Sequence, residues 1–133
     1  MRWLLDTNIL IAALKQHPLV LERLEGVSPR DLVLSPVVLG ELELGVTKSR
    51  WSSANRARLD ALIAGVPLVP LDAAAARTYG EIRGALEQAG QVIGANDLWI
   101  AAQAMALKLT LVTDNAREFQ RVEGLAVENW LSQ

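Results

Sequence analysis

The stretch Trp3-Leu4-Leu5-Asp6-Thr7-Asn8-Ile9-Leu10-Ile11-Ala12-Ala13-Leu14 decides the fold. An apolar triplet runs into an acid, two small polar residues follow, and an apolar segment of helical length comes next. The pattern predicts a short buried strand ending in a carboxylate, with a helix behind it that Asn8 is placed to cap. Open α/β sheets present their ligand sites at the carboxyl ends of the strands. Asp6 is therefore the first candidate for a reactive group.

The same unit recurs along the chain. Pro18 suits the first turn of a helix running through Leu19–Leu24 to Gly26. Ser28-Pro29-Arg30 is a turn, and Leu32-Val33-Leu34 is a second buried strand. Ser35-Pro36 then starts a helix carrying Val37 to Leu44 toward Gly45, with Ser as cap and Pro in the first turn. Ser52 or Ser53 opens the next helix, with Leu59, Leu62 and Ile63 at helical spacing. Pro67-Leu68-Val69-Pro70-Leu71 is an edge strand bracketed by prolines. Asp72 caps a helix to about Ala89. Asn96 is placed to cap another from Leu98 to Leu107, apolar on most sides and hence buried. Leu109–Thr113 is a strand ending in Asp114-Asn115; Arg117-Glu118-Phe119 begins a short helix, and Ala126-Val127 is a last strand. Strand–helix alternation argues a mostly parallel sheet covered by helices on both faces.

Composition narrows the class. A chain of 133 residues suits one domain, 1–133, with a real core. It is 51% hydrophobic, with mean hydropathy +0.22, which leaves apolar surface for a partner. With no cysteine there is no disulfide framework or thiolate chemistry. A formal charge of −2 lacks the basic footprint of a stand-alone nucleic-acid binder, so recognition of nucleic acid would need a local patch or metal ions. Asp6 and Asn8 interrupt any signal-peptide core. The longest uncharged stretch, Ala61 to Leu71, is eleven residues, against roughly 20 for a bilayer span. The expectation is a cytoplasmic protein with no membrane association.

Of the fifteen acids, four stand apart. Asp6 ends the first strand, Asp114 ends the last strong one, Asp97 opens a buried helix, and Glu41 lies in the helix after strand two. In a parallel sheet all four lie toward one edge. Glu43 is excluded because two residues turn a helix by about 200°, and Glu41 is the one that shares a stripe with Val37, Val38 and Gly45. Each acid also has a structural role open to it: Asp6 as a cap, Asp97 as a partner of the helix dipole, Asp114 in a turn. Four carboxylates in one cleft resist ionisation, and the usual compensation is a hard cation such as Mg²⁺ or Mn²⁺, which takes oxygen ligands and bridges phosphates.

With these residues assembled, the chain resembles PIN-domain ribonucleases, and more narrowly the toxin subunits of VapBC toxin–antitoxin modules. The matching segments are Leu5-Asp6-Thr7-Asn8, Ser35 to Leu42, Ile93 to Ala102 and Leu111 to Phe119, in order and spacing across essentially the whole chain. The resemblance implies a PIN-like three-layer α/β/α fold around a mostly parallel sheet of 4-5 strands. It implies an Mg²⁺- or Mn²⁺-dependent endoribonuclease with Asp6 and Asp97 as core ligands and Glu41 and Asp114 completing the cluster. Thr7, Asn8, Thr113 and Asn115 become supporting polar groups; Arg117, by its own place after the Thr113-Asp114-Asn115 turn, is open to a substrate phosphate or to a surface ion pair. Some members carry Asn at the position of Asp114. The resemblance also implies an RNA substrate, homodimers, and a cognate antitoxin whose tail covers the site, with Leu42, Leu44, Trp51, Leu59 and Leu62 as contact candidates.

Two other readings stay open at this level. One is a phosphatase-like hydrolase with Asp6 as nucleophile, although Asn8 stands where a second Asp is usual and Lys108 precedes its strand instead of following it. The other is a catalytically silent PIN-fold binding module. His17, the lone histidine, precedes a proline outside these segments and is assigned a structural or exposed role.

Overall fold

The structure, a computed structural model, describes residues 1–132. In chain order the elements are β1 (Trp3–Leu5), α1 (Thr7–Leu14), α2 (Pro18–Glu25), β2 (Leu32–Val33), α3 (Pro36–Lys48), α4 (Ser52–Ile63), α5 (Ala73–Ala89), α6 (Ala95–Ala106), β3 (Thr110–Val112), α7 (Ala116–Phe119) and β4 (Val127–Glu128). The four strands form one all-parallel sheet in the order β2-β1-β3-β4. Leu4 of β1 pairs with Leu111 of β3, and both are fully buried. This is the signature of a parallel strand covered on both faces, and it explains why the strands read as unbroken apolar runs.

The order matters for function. From β1 the chain crosses to β2 on one side and later to β3 and β4 on the other. The direction reverses between β1 and β3, and the crevice at the carboxyl ends of these two strands is where such sheets bind ligands. Asp6 follows β1 there, and Thr113 and Asp114 follow β3.

Helices cover the sheet in two groups. α1 packs against α2, α3 and α4, while α6 packs against α5, α3 and β3, giving the three-layer α/β/α arrangement. α6 is the central beam: Leu98, Ile100, Ala101, Ala102, Gln103 and Ala104 are at most 1% exposed. The Ser35 hydroxyl caps α3 by accepting from the Val37 N–H, and Asp72 caps α5 through Ala75 N–H. Gly90 ends α5 at φ +68°, a conformation that costs a side-chain-bearing residue.

Three expectations are corrected. The segment Pro67–Leu71 is not a strand; it makes a single parallel bridge, Leu34 to Leu68, beyond β2. Pro67 and Pro70 have no N–H to donate, so the ladder stops after the bonds Leu34 N to Pro67 O and Val69 N to Leu34 O. α3 runs past Gly45 to Lys48 because buried Val46 pins its last turn. Of the expected contact residues, Leu42 and Leu59 belong to the core, with Leu62 packed against it, whereas Leu44 and Trp51 are exposed at 58% and 71%. Among the described residues, no helix is long and apolar enough to cross a membrane.

Candidate active site

The backbone brings β1 and β3 together up to the first acid: Asp6 N–H donates to Val112 O at 2.8 Å. Asp6, not Asn8, caps α1. Its backbone is extended, its carbonyl accepts the first helical bonds from Ile9 and Leu10, and its Oδ1 accepts from Thr7 N–H at 2.8 Å. Asn8 lies inside the first turn, where it cannot act as cap, and its Nδ2 reaches Asp114 Oδ1 at 3.4 Å. The second oxygen of Asp6 accepts the Thr113 hydroxyl at 2.7 Å across the switch point. Asp6 is only 6% exposed, and burial raises its pKa against the lowering effect of Thr113 and Thr7; Glu41 and Asp114 raise it further. The cap and the cluster member are the same side chain.

Thr7, the next residue, turns the other way. Its hydroxyl donates to Glu41 Oε1 at 2.8 Å, joining α1 to α3 and leaving Glu41 Oε2 without a protein partner among the described residues. Glu43, two residues on, pairs with Arg56 of α4 through both carboxylate oxygens. The helical rotation that separates Glu41 from Glu43 in the sequence holds in space.

Asp97 sits in the first turn of α6, on the central beam. Gly94 occupies the cap position and supplies no side chain, so Asn96, already inside the helix, does not cap it. The Asp97 carboxyl is pushed up to about 7, chiefly by burial, then by Glu118, with Asp6 and Glu41 adding to the repulsion. Asp114 is exposed at the mouth of this group, and the Thr113 hydroxyl also accepts the Asn115 N–H at 3.0 Å. Arg117 is exposed and has no ion pair among the described residues.

Glu118 was not singled out by sequence reasoning. Its Oε1 accepts from Gly94 N–H at 3.2 Å, and its Oε2 takes the Asn115 side-chain amide. The signal was present: Asn115 at the start of a helix, with Glu three residues on, has the spacing of a capping box.

An all-oxygen donor set suits a hard divalent cation and not zinc. Among the described residues, no three acids close up enough to enclose an ion by themselves. An open carboxylate face with water completing the shell is the form Mg²⁺ prefers, and the raised pKa of Asp97 marks a place where positive charge would relieve repulsion.

Residues 3–125 match the family model for the PIN domain. The chain belongs to the PIN-domain family. Within it, the chain is similar to ribonuclease VapC2 of Rickettsia felis, 40% identical over 98% of both chains. It is 35% identical, over 98% of both, to a protein of Shigella flexneri named tRNA(fMet)-specific endonuclease VapC. Among solved structures it superposes on VapBC2 from Rickettsia felis bound to a promoter DNA fragment, with TM-score 0.91, 39% identity and coverage of 98% of this chain and 99% of the other. The DNA-bound VapBC of Salmonella typhimurium gives TM-score 0.92 at 33% identity, over 98% of each chain. The PIN fold expected from the four sequence segments is thus the fold found.

Proposed function

We propose that this PIN-domain chain, a single domain over 1–133, is a cytoplasmic endoribonuclease dependent on Mg²⁺ or Mn²⁺, and the toxin of a toxin–antitoxin pair. The observation that carries the reading is that adjacent residues at the switch point of the sheet tie down two acids, Asp6 through Thr113 and Glu41 through Thr7, with Asp97 in the first turn of α6 feeling the charge of both. The relatives named ribonuclease VapC support RNA as substrate, and those solved as VapBC complexes support an antitoxin partner.

Asp6 and Asp97 would hold the ion, with Glu41 and Asp114 completing the acidic face. When bound, the ion lowers the pKa of a water and offsets charge at the phosphate. The protein's own part is positioning. The Thr113 hydroxyl and the Thr7 N–H fix both oxygens of Asp6, which also argues against Asp6 as a nucleophile. Thr7 holds Glu41 by Oε1, leaving Oε2 to take the proton of the attacking water. Asn8 and Asn115 orient Asp114 and the β3–α7 turn. Arg117 is free to meet a flanking phosphate. By resemblance to the family, the attacking water displaces the 3′ oxygen, which leaves with a proton from solvent, so the products carry 5′-phosphate and 3′-hydroxyl ends.

The antitoxin is assigned a groove of about 330 Å³ that begins at Glu41 and runs between α1, α3 and α4, floored by Ile11, Leu14, Leu42 and Val46. Gly45 lies on it, and a Cβ added there meets nothing within 4 Å. A second copy of the chain, as in a homodimer, is assigned elsewhere, since this groove leads directly to the acids. The chain, loaded with Mg²⁺, is expected to cleave RNA to 5′-phosphate ends and to stop when the product of the adjacent reading frame is added. Gly45→Arg, which fits the helix but fills the groove, weakens that inhibition at least about tenfold, relative to the variant's own uninhibited rate. RNA left uncut with both Mg²⁺ and Mn²⁺ would overturn the enzymatic reading. Unchanged inhibition of Gly45→Arg would remove the groove.

A further inference from the structure

We propose that the turn between α3 and α4, Lys48 to Trp51, is a binding surface for single-stranded RNA: the Trp51 ring stacks on a base, and Lys48 and Arg50 take the phosphates beside it. The inference rests on the reading of RNA as substrate and extends it to a contact outside the acidic cluster.

A chain of net charge −2 needs a local basic patch if its own side chains are to hold RNA. Residues 44–59 supply one. They contain no acid and four basic side chains, Lys48, Arg50, Arg56 and Arg58. Arg56 is taken up by Glu43 and Asp60 of α3 and α4. Lys48 and Arg50 are exposed, and among the described residues neither has an ion pair. Next to them stands Trp51. At 71% it is the most exposed large apolar side chain among the described residues.

The turn holds that ring in place without covering it. The Ser49 N–H closes α3 on Val46 O at 3.1 Å. The Ser49 hydroxyl accepts the Trp51 N–H at 3.0 Å and also the Asn55 side-chain amide. The Trp51 carbonyl in turn accepts the Asn55 N–H at 2.9 Å. All of these bonds use the backbone, Ser49 or Asn55, so the indole itself is left to solvent. A platform already ordered loses little entropy when a ligand stacks on it.

RNA is the occupant that this chemistry fits. Every base has a π-face, and aromatic rings beside cations are how proteins hold single strands without reading sequence. A protein partner would have to bury Lys48 and Arg50 along with the ring, and charged groups are depleted from the cores of protein interfaces. The groove assigned to the antitoxin lies elsewhere: none of Lys48, Arg50 and Trp51 lines it. Lys48 follows Glu41 by seven residues on α3, so the two share nearly one stripe, about 10 Å apart along the axis. A strand that meets the acids at Glu41 reaches the turn within about three nucleotides at stacked spacing.

The test measures binding of a fluorescein-labelled RNA pool by anisotropy in EDTA, beside steady-state cleavage of the same pool with Mg²⁺. Trp51→Ala is expected to raise Kd about 5–150-fold, the span of one base stack, and to raise KM while kcat changes less than about twofold. Trp51→Phe, which keeps a ring, stays within about fivefold of the parent. In the double variant Lys48→Gln, Arg50→Gln, the slope of log Kd against log salt falls by about 1.4, for two phosphate contacts at about 0.7 each. Should Trp51→Ala fail to fold, the salt slope of the double variant carries the test. The proposal is overturned if either folded variant binds RNA as the parent does. It is also overturned if affinity is lost only together with a change in oligomeric state by sedimentation, since the turn would then be a contact between copies. Weakened antitoxin inhibition with RNA affinity unchanged would overturn it too, by assigning Trp51 to the antitoxin. A parent chain that neither binds nor cleaves RNA would instead remove the substrate reading beneath the proposal, and the proposal with it.

Discussion

Asp97→Asn is expected to abolish RNA cleavage, by at least about 10³-fold or roughly 4 kcal/mol of barrier, and yet to raise the melting temperature in chelator above neutral pH. The two effects have one cause. The carboxyl is pushed up to about 7 from an ordinary 3.8, first by burial and then by Glu118, Asp6 and Glu41. An acid whose folded pKa lies above its unfolded value opposes folding once the unfolded chain ionises. The penalty is absent below about pH 4, grows between 4 and 7, and is full above 7. Without metal, the parent should therefore lose stability across that window, and Asp97→Asn should lose less. Mg²⁺ should stabilise the parent at pH 8 and leave the variant unmoved. Asp6→Asn should be equally inactive and still folded, because Asn serves as a helix cap. Thermal melts with and without EDTA, beside a cleavage assay, check both halves. Cleavage within tenfold of the parent by Asp97→Asn, or a melting temperature lowered by the substitution above pH 7, would count against the account.

Thr113→Val carries the second large effect. The side chain is fully buried, and valine fills nearly the same volume, so the substitution removes the hydroxyl's hydrogen bonds and little else. What goes is one hydroxyl doing two jobs: donating to Asp6 Oδ2 at 2.7 Å and accepting Asn115 N–H at 3.0 Å. A hydrogen bond to a charged group contributes about 1.5–3 kcal/mol, and the Asn115 amide is left without its acceptor. For a chain of this size that corresponds to a fall in melting temperature of about 6–12 °C. Asp6 would lose the contact that fixes its second oxygen, and cleavage should fall about 10–100-fold. Thr113→Ser should recover most of both. A valine variant as stable and as active as the parent would show that the hydroxyl holds nothing in place.

The sheet was readable because its strands are buried on both faces. Leu4-Leu5 and Leu111-Val112 are apolar without alternation, and each ends in polar residues at the same edge. The acids were readable for the same reason, since an acid that ends a buried strand has few places to point. Glu41 could be told from Glu43 by helical rotation alone. The prolines around Leu68 were read as an edge, but they cut the strand down to one bridge, a cost that depends on which N–H groups the ladder needs. The assignment of caps to Asn8 and Asn96 failed because cap chemistry is common to Asp, Asn and Gly. Only the backbone decides which of several adjacent residues is extended, and Asp6 and Gly94 are. Glu118 had a local signal, the capping-box spacing to Asn115, but its bond to Gly94 was hidden because the two lie twenty-four residues apart and meet only in the folded chain.

The most direct measurement is cleavage of a purified RNA pool by the chain after exhaustive treatment with EDTA, followed by readdition of Mg²⁺ or Mn²⁺. The account predicts no cleavage in chelator and full recovery with either ion, with Asp6→Asn and Asp97→Asn silent throughout. Undiminished cleavage in EDTA would contradict it.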